Sequence, residues 1–147
     1  MKNLEMLPSG YFDLVFNPIS TCFVDDVLPV WKESFRVLKS GGSLMTGFLN
    51  PGVYMFDKTL ENQKILQVRY SLPYSDLASL SDEERARYTS YQAPLEFSHT
   101  LSSLIGGQLA AGFHLVEFIE DDWGGDFIDR FMKAFVATKA IKPVGFY

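Results

Sequence analysis

The stretch FDLVFNPIS occupies residues 12–20. Its first five residues form a short apolar run with β-branched and aromatic side chains, the pattern of a strand covered on both faces. Asn17-Pro18 closes the run, because proline offers no donor to a ladder and biases its predecessor away from helix. Such a strand belongs inside a sheet, with its turn at a ligand site. Here it is the first element of the chain, so any fold must begin with a strand of central type.

The next segment, DDVLPVWKESFRVLKSGG, carries helix punctuation. Asp25 or Asp26 supplies an N-cap oxygen, and Pro29 falls in the first turn, where a missing N–H is tolerated. Val27, Trp31, Ser34, Phe35 and Leu38 share one face at helical spacing. The pattern predicts a helix whose last turn holds Lys39, near the negative end of the dipole, with Gly41 or Gly42 as its left-handed stop. SLMTGF (43–48) reads as the second strand, turned by Asn50-Pro51-Gly52.

Residues 53–97 are the least regular part. ILQVRY (65–70) looks extended, and Ser81 with Glu84 fits a capping box that opens a short surface helix. After Ser98, a candidate cap, Leu101, Leu104, Ile105, Gln108 and Leu109 recur with period 3.6 until Gly112. Gly106-Gly107 within that helix costs on the order of 1 kcal/mol per glycine relative to alanine. Close approach of the helix to the sheet is the expected compensation. HLVEFI (114–119) and AFVATKA (134–140) are the last strands, joined by the acidic turn EDDWGGD and a helical turn. The order β-α-β, irregular segment, α-β-β argues for an α/β sheet, partly parallel, whose last two strands are antiparallel neighbours.

Composition narrows the function. With 13 Lys+Arg against 18 Asp+Glu, the chain lacks the basic surface that nucleic-acid binding requires. The single cysteine, Cys22, excludes an internal disulfide and fits a reducing compartment. The N-terminus has no apolar signal core, and the most apolar stretch is interrupted by Gln108, His114 and Glu117. The expectation is a soluble cytoplasmic protein that binds neither membrane nor nucleic acid. No nucleophile elbow, phosphate loop or triad pattern is present. No metal spacing joins the two histidines to the cysteine, so no metal is expected. Glu120, Asp121, Asp122 and Asp126 offer oxygens to a hard cation, but a solvated loop is the favoured reading of them.

FDLVFNPIS, the helix ending RVLKSGGSLM, GFLNP, and LIGGQLAAGFHLVEFIEDD followed by FVATKAIKP together resemble the second half of the class I S-adenosylmethionine-dependent methyltransferases. The resemblance covers nearly the whole chain and is loosest over residues 53–97. In that family the strand order is 3-2-1-4-5-7-6, with strand 7 antiparallel. FDLVF would be strand 4, SLMTGF strand 5, HLVEFI strand 6 and FVATKA strand 7. The resemblance therefore implies the C-terminal half of a Rossmann-like sheet, strands 4-5-7-6. It implies one partial domain over residues 1–147, with 53–97 as an insert.

The family's cofactor is S-adenosylmethionine, held by a glycine-rich turn after strand 1 and an acidic residue after strand 2. Neither has a counterpart here, since Gly41-Gly42, Gly106-Gly107 and Gly124-Gly125 all lie in other settings. The resemblance thus implies that the chain binds no cofactor alone. It places Asn17, Pro18 and Ser20 beside the transferable methyl group. Asn50, Pro51 and His99 would line the acceptor pocket, His99 as a candidate base at its rim. No catalytic residue is assigned, because methyl transfer chiefly needs donor and acceptor aligned with water excluded. Each residue also has a plain reading: Asn17-Pro18 as a turn, His99 as a surface histidine, His114 and Cys22 as structural.

Half a sheet raises a physical problem. Without strands 1–3, strand 4 becomes an edge whose backbone groups recruit another chain. Both remaining helices would pack on one face and leave apolar side chains bare on the other. Either residues 53–97 fold over that face, or a second copy covers it. The expectation is a homodimer through strand 4 (Phe12–Phe16) or the uncovered face. Three functional readings stay open. One is the C-terminal portion of a small-molecule methyltransferase, inactive until the other half is supplied. Another is a non-catalytic dimerising or binding module derived from the fold. The third is a divergent methyltransferase with a cofactor site built across a dimer.

Overall fold

A computed structural model describes residues 2–145, apart from the side chains of Tyr88 and Thr89. Among them, β1 (Phe12–Pro18), β2 (Leu38–Leu49), β3 (His114–Asp121) and β4 (Phe135–Ile141) form one sheet in the order β1-β2-β4-β3. β1 and β2 are parallel, and β4 is antiparallel to both of its neighbours, β2 and β3. The expected order and the antiparallel last strand are both present. The short β3–β4 connection holds one 3-10 turn, Phe127–Arg130, too little for a parallel crossover, so β4 returns antiparallel.

Helix α1 (Leu28–Val37) links β1 to β2. Three short helices, α2 (Lys58–Glu61), α3 (Asp76–Ser79) and α4 (Asp82–Ser90), fill the irregular region. The last helix is π-helical over Ser102–Gly106 and continues as α5 (Gly107–Ala110). Strand register sets three rows on the helix-covered face. Val15, Leu44, Ala140 and Leu115 make one, Asn17, Thr46, Thr138 and Phe118 the next, and Phe48 with Val136 the last. Val27, Val30, Trp31, Leu104 and Phe113 pack on the apolar rows, each fully buried side chain contributing roughly 1.5–3 kcal/mol. In the middle row the two threonines and Gln108 are satisfied internally. Thr46 Oγ1 donates to Asn17 O at 3.0 Å, Thr138 Oγ1 to Gln108 Oε1 at 3.0 Å, and Gln108 Nε2 to Leu104 O at 2.9 Å.

Several local expectations are corrected. α1 stops at Val37, and Lys39, Gly41 and Gly42 lie inside β2 rather than in a last turn and its stop. Phe12 pairs with Leu38 but Leu14 with Ser43, so residues 39–42 bulge out of the ladder. A Cβ on Gly42 would stand 2.9 Å from Lys39 O and 3.2 Å from Asp13 O. Lys39 pairs with Asp13 at 2.9 Å instead of meeting the helix dipole. β1 runs through Asn17 and Pro18. Ile19 N–H reaches Gly47 O at 2.9 Å, which turns the Pro18 nitrogen to the open edge, where no donor is needed.

Ser98 caps nothing: its hydroxyl accepts from Tyr74 N–H at 2.7 Å, and Thr100 Oγ1 accepts from Ser103 N–H at 3.1 Å in the capping position. ILQVRY contributes one isolated bridge, Val68 opposite Phe56, and no strand. The capping box is present, with Glu84 N–H on Ser81 Oγ at 3.2 Å and Ser81 N–H on Glu84 Oε2 at 2.9 Å. Gly107 does allow a close approach, but to α1 and not to the sheet, and Gly106 faces open space.

FDLVF is covered on one face only. On the other, Phe16 is 66% exposed, Leu14 51%, Ile119 50% and Met45 40%. Residues 53–97 leave that face bare. They pack at the C-terminal ends of the parallel strands, where Cys22, Tyr54, Tyr74 and Leu80 cluster with Leu49. No helix among the described residues is long and apolar enough to cross a membrane.

Candidate functional site

β1 and β2 deliver their C-terminal ends to the same side of the sheet, the side where open α/β sheets bind ligands. At the end of β1 the chain makes a sharp corner. Ile19 has φ 45°, a costly conformation for a β-branched residue and a mark of strain. Ser20 Oγ donates to Asn17 Oδ1. Asn17 Nδ2 is buried and has no hydrogen-bond partner among the described residues, which is expensive unless a ligand supplies one.

His99 is buried, and Nε2–H donates to Thr21 O at 3.0 Å. It braces the corner from within rather than standing at a rim. Asn50 is occupied at both ends, its Oδ1 accepting from Gly52 N–H at 3.1 Å and its Nδ2 donating to Lys133 O at 3.1 Å. Pro51 is buried beside it. Asn17, Pro18, Ser20 and His99 thus meet at one corner, His99 through Thr21. Asn50 and Pro51 form the neighbouring turn after β2.

Residues that the sequence did not single out complete the region. Tyr54 is buried and stacks on Tyr74 with ring centroids 5.3 Å apart. Its hydroxyl has no partner in hydrogen-bonding geometry. Burial first, then the Glu96 charge, push its ionisation far up. Burial and Glu96 likewise raise the Cys22 thiol. Buried Asp76 accepts from Tyr74 Oη at 2.5 Å and from Glu96 N–H at 2.7 Å. Phe97 N–H donates to Cys22 O at 2.8 Å, so this network pins the irregular segment to the strand-end corner. Its members lie far apart in sequence, and no local pattern joins them.

Beyond the ends of β2 and β3 opens a cleft of about 670 Å³, within the range of small-molecule sites. Tyr54, Glu61, Glu96, Trp123, Asp126 and Phe127 line it. One wall is the acidic turn, organised by Asp129, whose carboxylate accepts from the N–H groups of Trp123, Gly125 and Asp126, each at 2.9 Å. Burial works to raise the Asp129 pKa, but these three bonds outweigh it and hold the carboxyl low. Gly124 and Gly125 take φ +89° and +123°, positions that a side chain would strain. No cluster of three or more metal-ligating side chains occurs among the described residues.

The glycine pairs of the chain all serve other local structures. Gly41-Gly42 forms a strand bulge, Gly107 a helix contact, and Gly124-Gly125 the acidic turn. None of these glycines opens toward the Asn17 corner as a phosphate- or carboxylate-binding turn would.

A family model described as a methyltransferase domain matches residues 1–46. The uncharacterized methyltransferase YbaJ of Bacillus subtilis is 40% identical over 142 residues, 97% of this chain and 55% of that protein. The crystal structure of an S-adenosylmethionine-dependent methyltransferase from Mesorhizobium loti matches with a TM-score of 0.63 at 17% identity, covering 92% of this chain and 63% of that one. A SAM-dependent methyltransferase structure from Methanosarcina mazei matches with a TM-score of 0.60 at 15% identity, covering 98% and 65%. The chain therefore spans little more than half the length of YbaJ and under two thirds of these solved structures. The chain is similar to S-adenosylmethionine-dependent methyltransferases, and its four-stranded sheet, with β4 antiparallel, has the 4-5-7-6 arrangement of one half of their Rossmann-like fold.

Proposed function

We propose that this chain is the acceptor-binding, C-terminal portion of a methyltransferase that acts on a small molecule. S-adenosylmethionine would bind only once the strand 1–3 half of the fold is supplied along the open edge of β1. The observation that carries this reading is the buried Asn17 amide nitrogen at the end of β1, which has no hydrogen-bond partner among the described residues. When bound, the cofactor supplies an electrophilic methyl group. Asn17, Pro18 and Ser20 form the wall that would face it, with Asn17 Nδ2 as a free donor. Asn50 and Pro51 shape the turn on the acceptor side, and His99 keeps the corner rigid. The single cysteine and acidic surface suit a cytoplasmic setting.

Calorimetric titration with S-adenosylmethionine tests this. The chain alone should give no binding heat, and its mixture with the N-terminal half of YbaJ should bind at micromolar concentration. Micromolar binding by the chain alone would replace this reading with a cofactor site built across two copies.

A second reading is a non-catalytic module that dimerises. It is favoured by the exposure of Leu14 and Phe16 beside an unpaired strand edge. Two copies would pair β1 with β1 about a two-fold axis. A monomeric mass by light scattering at micromolar concentration would eliminate it.

A further inference from the structure

Glu61, at the end of α2, and Asp126, in the acidic turn, line the same cleft from opposite sides. Neither forms a salt bridge among the described residues. Burial, then the Asp126 charge, raise the Glu61 carboxyl against the smaller opposing pull of Lys58. Two lysines also line the cleft. Lys58 is engaged with Glu96 at 3.2 Å, and the three carboxylates of the lining, Glu61, Glu96 and Asp126, outnumber its two lysines.

Three aromatic rings also line the cleft. Trp123 is 46% exposed, yet it is held in place by its N–H bond to Asp129 and by edge-on packing on Phe135, centroids 4.2 Å apart. Phe127 stands on the same wall, packed edge-on against Phe131. Tyr54, 3% exposed, contributes a hydroxyl with no partner in full hydrogen-bonding geometry among the described residues, and its strongest charged neighbour is Glu96, also of this cleft. Aromatic rings next to an excess of carboxylates are the chemistry that recognises organic cations.

We infer that this cleft binds an aromatic amine in its ammonium form, the charge between Glu61 and Asp126 and the ring against Trp123 and Phe127. That the amine is the methyl acceptor rests on the methyltransferase reading; the binding itself does not.

The test is calorimetry on the 147-residue chain at neutral pH and low salt, with 2-phenylethylamine and its neutral isostere 2-phenylethanol as probes. The amine should bind at least about tenfold more tightly. The double variant Glu61→Gln/Asp126→Asn should erase that preference. Asp126→Asn keeps a side-chain oxygen at the cap of the 3-10 turn, and circular dichroism checks the fold. Should the variant fail to fold, rising ionic strength on the unaltered chain must shrink the preference. Equal affinity for the two probes, or a preference that survives both the variant and high salt, would overturn the inference. If the amine binds but gains no methyl group once the N-terminal half of YbaJ and S-adenosylmethionine are added, the cleft assignment stands and the acceptor role fails.

Discussion

Gly107 lies directly against the indole of Trp31. A Cβ at residue 107 would stand 2.7 Å from Trp31 Cδ1, 3.1 Å from its Nε1 and 2.8 Å from Leu28 Cδ2. Trp31 Nε1–H donates to Ser103 O at 2.9 Å, within the π-helical turn that precedes Gly107. α1 and the last helix can approach this closely only because residue 107 has no side chain. Its neighbour Gly106 has nothing within 4 Å of the same position.

The two glycines should therefore respond oppositely to alanine. Gly107→Ala should destabilise by about 1–3 kcal/mol through overpacking, less the roughly 1 kcal/mol gained in helix propensity. Gly106→Ala should keep most of that gain and raise stability. Urea denaturation midpoints of the two variants check the sign of each.

Arg36 clamps the N-terminal segment, donating to Leu4 O at 2.8 Å, Leu7 O at 3.0 Å and Ser9 Oγ at 3.0 Å. It also pairs with Glu33 at 2.8 Å, and Glu33 Oε2 accepts from Leu4 N–H at 2.8 Å. The Arg36 bonds, then the Leu4 N–H, pull the Glu33 carboxyl down to about 2. Its folded pKa is depressed, so its stabilising effect is present above the unfolded value of roughly 4.3 and is lost as pH falls toward 2. Residues 4–9 should stay docked at pH 4 and release near pH 2. The amide shifts of Leu4 and Leu7 report this, and in Glu33→Gln the transition should vanish.

Burial, then the Glu96 charge, raise the Cys22 thiol. At pH 8 it should react with Ellman's reagent several-fold more slowly than a free cysteine, because less thiolate is present and access is poor. Glu96→Gln should speed the reaction. An unchanged rate would mean that access alone controls it.

Phe16 stands 66% exposed on the bare face of β1. Phe16→Glu should change monomer stability by about 0.5 kcal/mol or less, as surface substitutions do. The same change should prevent docking of either a second copy or the missing half-fold. Light scattering of the variant, and its failure to gain S-adenosylmethionine binding with the YbaJ half, are the readouts.

The sequence by itself determined the four strands of the sheet, their order and the antiparallel return of the last one. Val15, Leu44, Val136 and Ala140 sit in local apolar runs that periodicity exposes, and the short β3–β4 connection leaves few ways to join them. The Ser81–Glu84 box and the stop at Gly112 were legible for the same reason, since each depends on residues a few positions apart. Tertiary structure decided the rest. Gly41-Gly42 became a bulge because Phe12 and Asp13, across the ladder, set the register. Gly107 met Trp31 and not the sheet because that contact joins residues 76 positions apart. The Asn17 corner is braced by His99, and the cleft joins Glu61 to Asp126, pairs that only folding brings together. Periodicity reports which side of an element is apolar; which partner covers that side, or leaves it bare, depends on long-range packing that no local window contains.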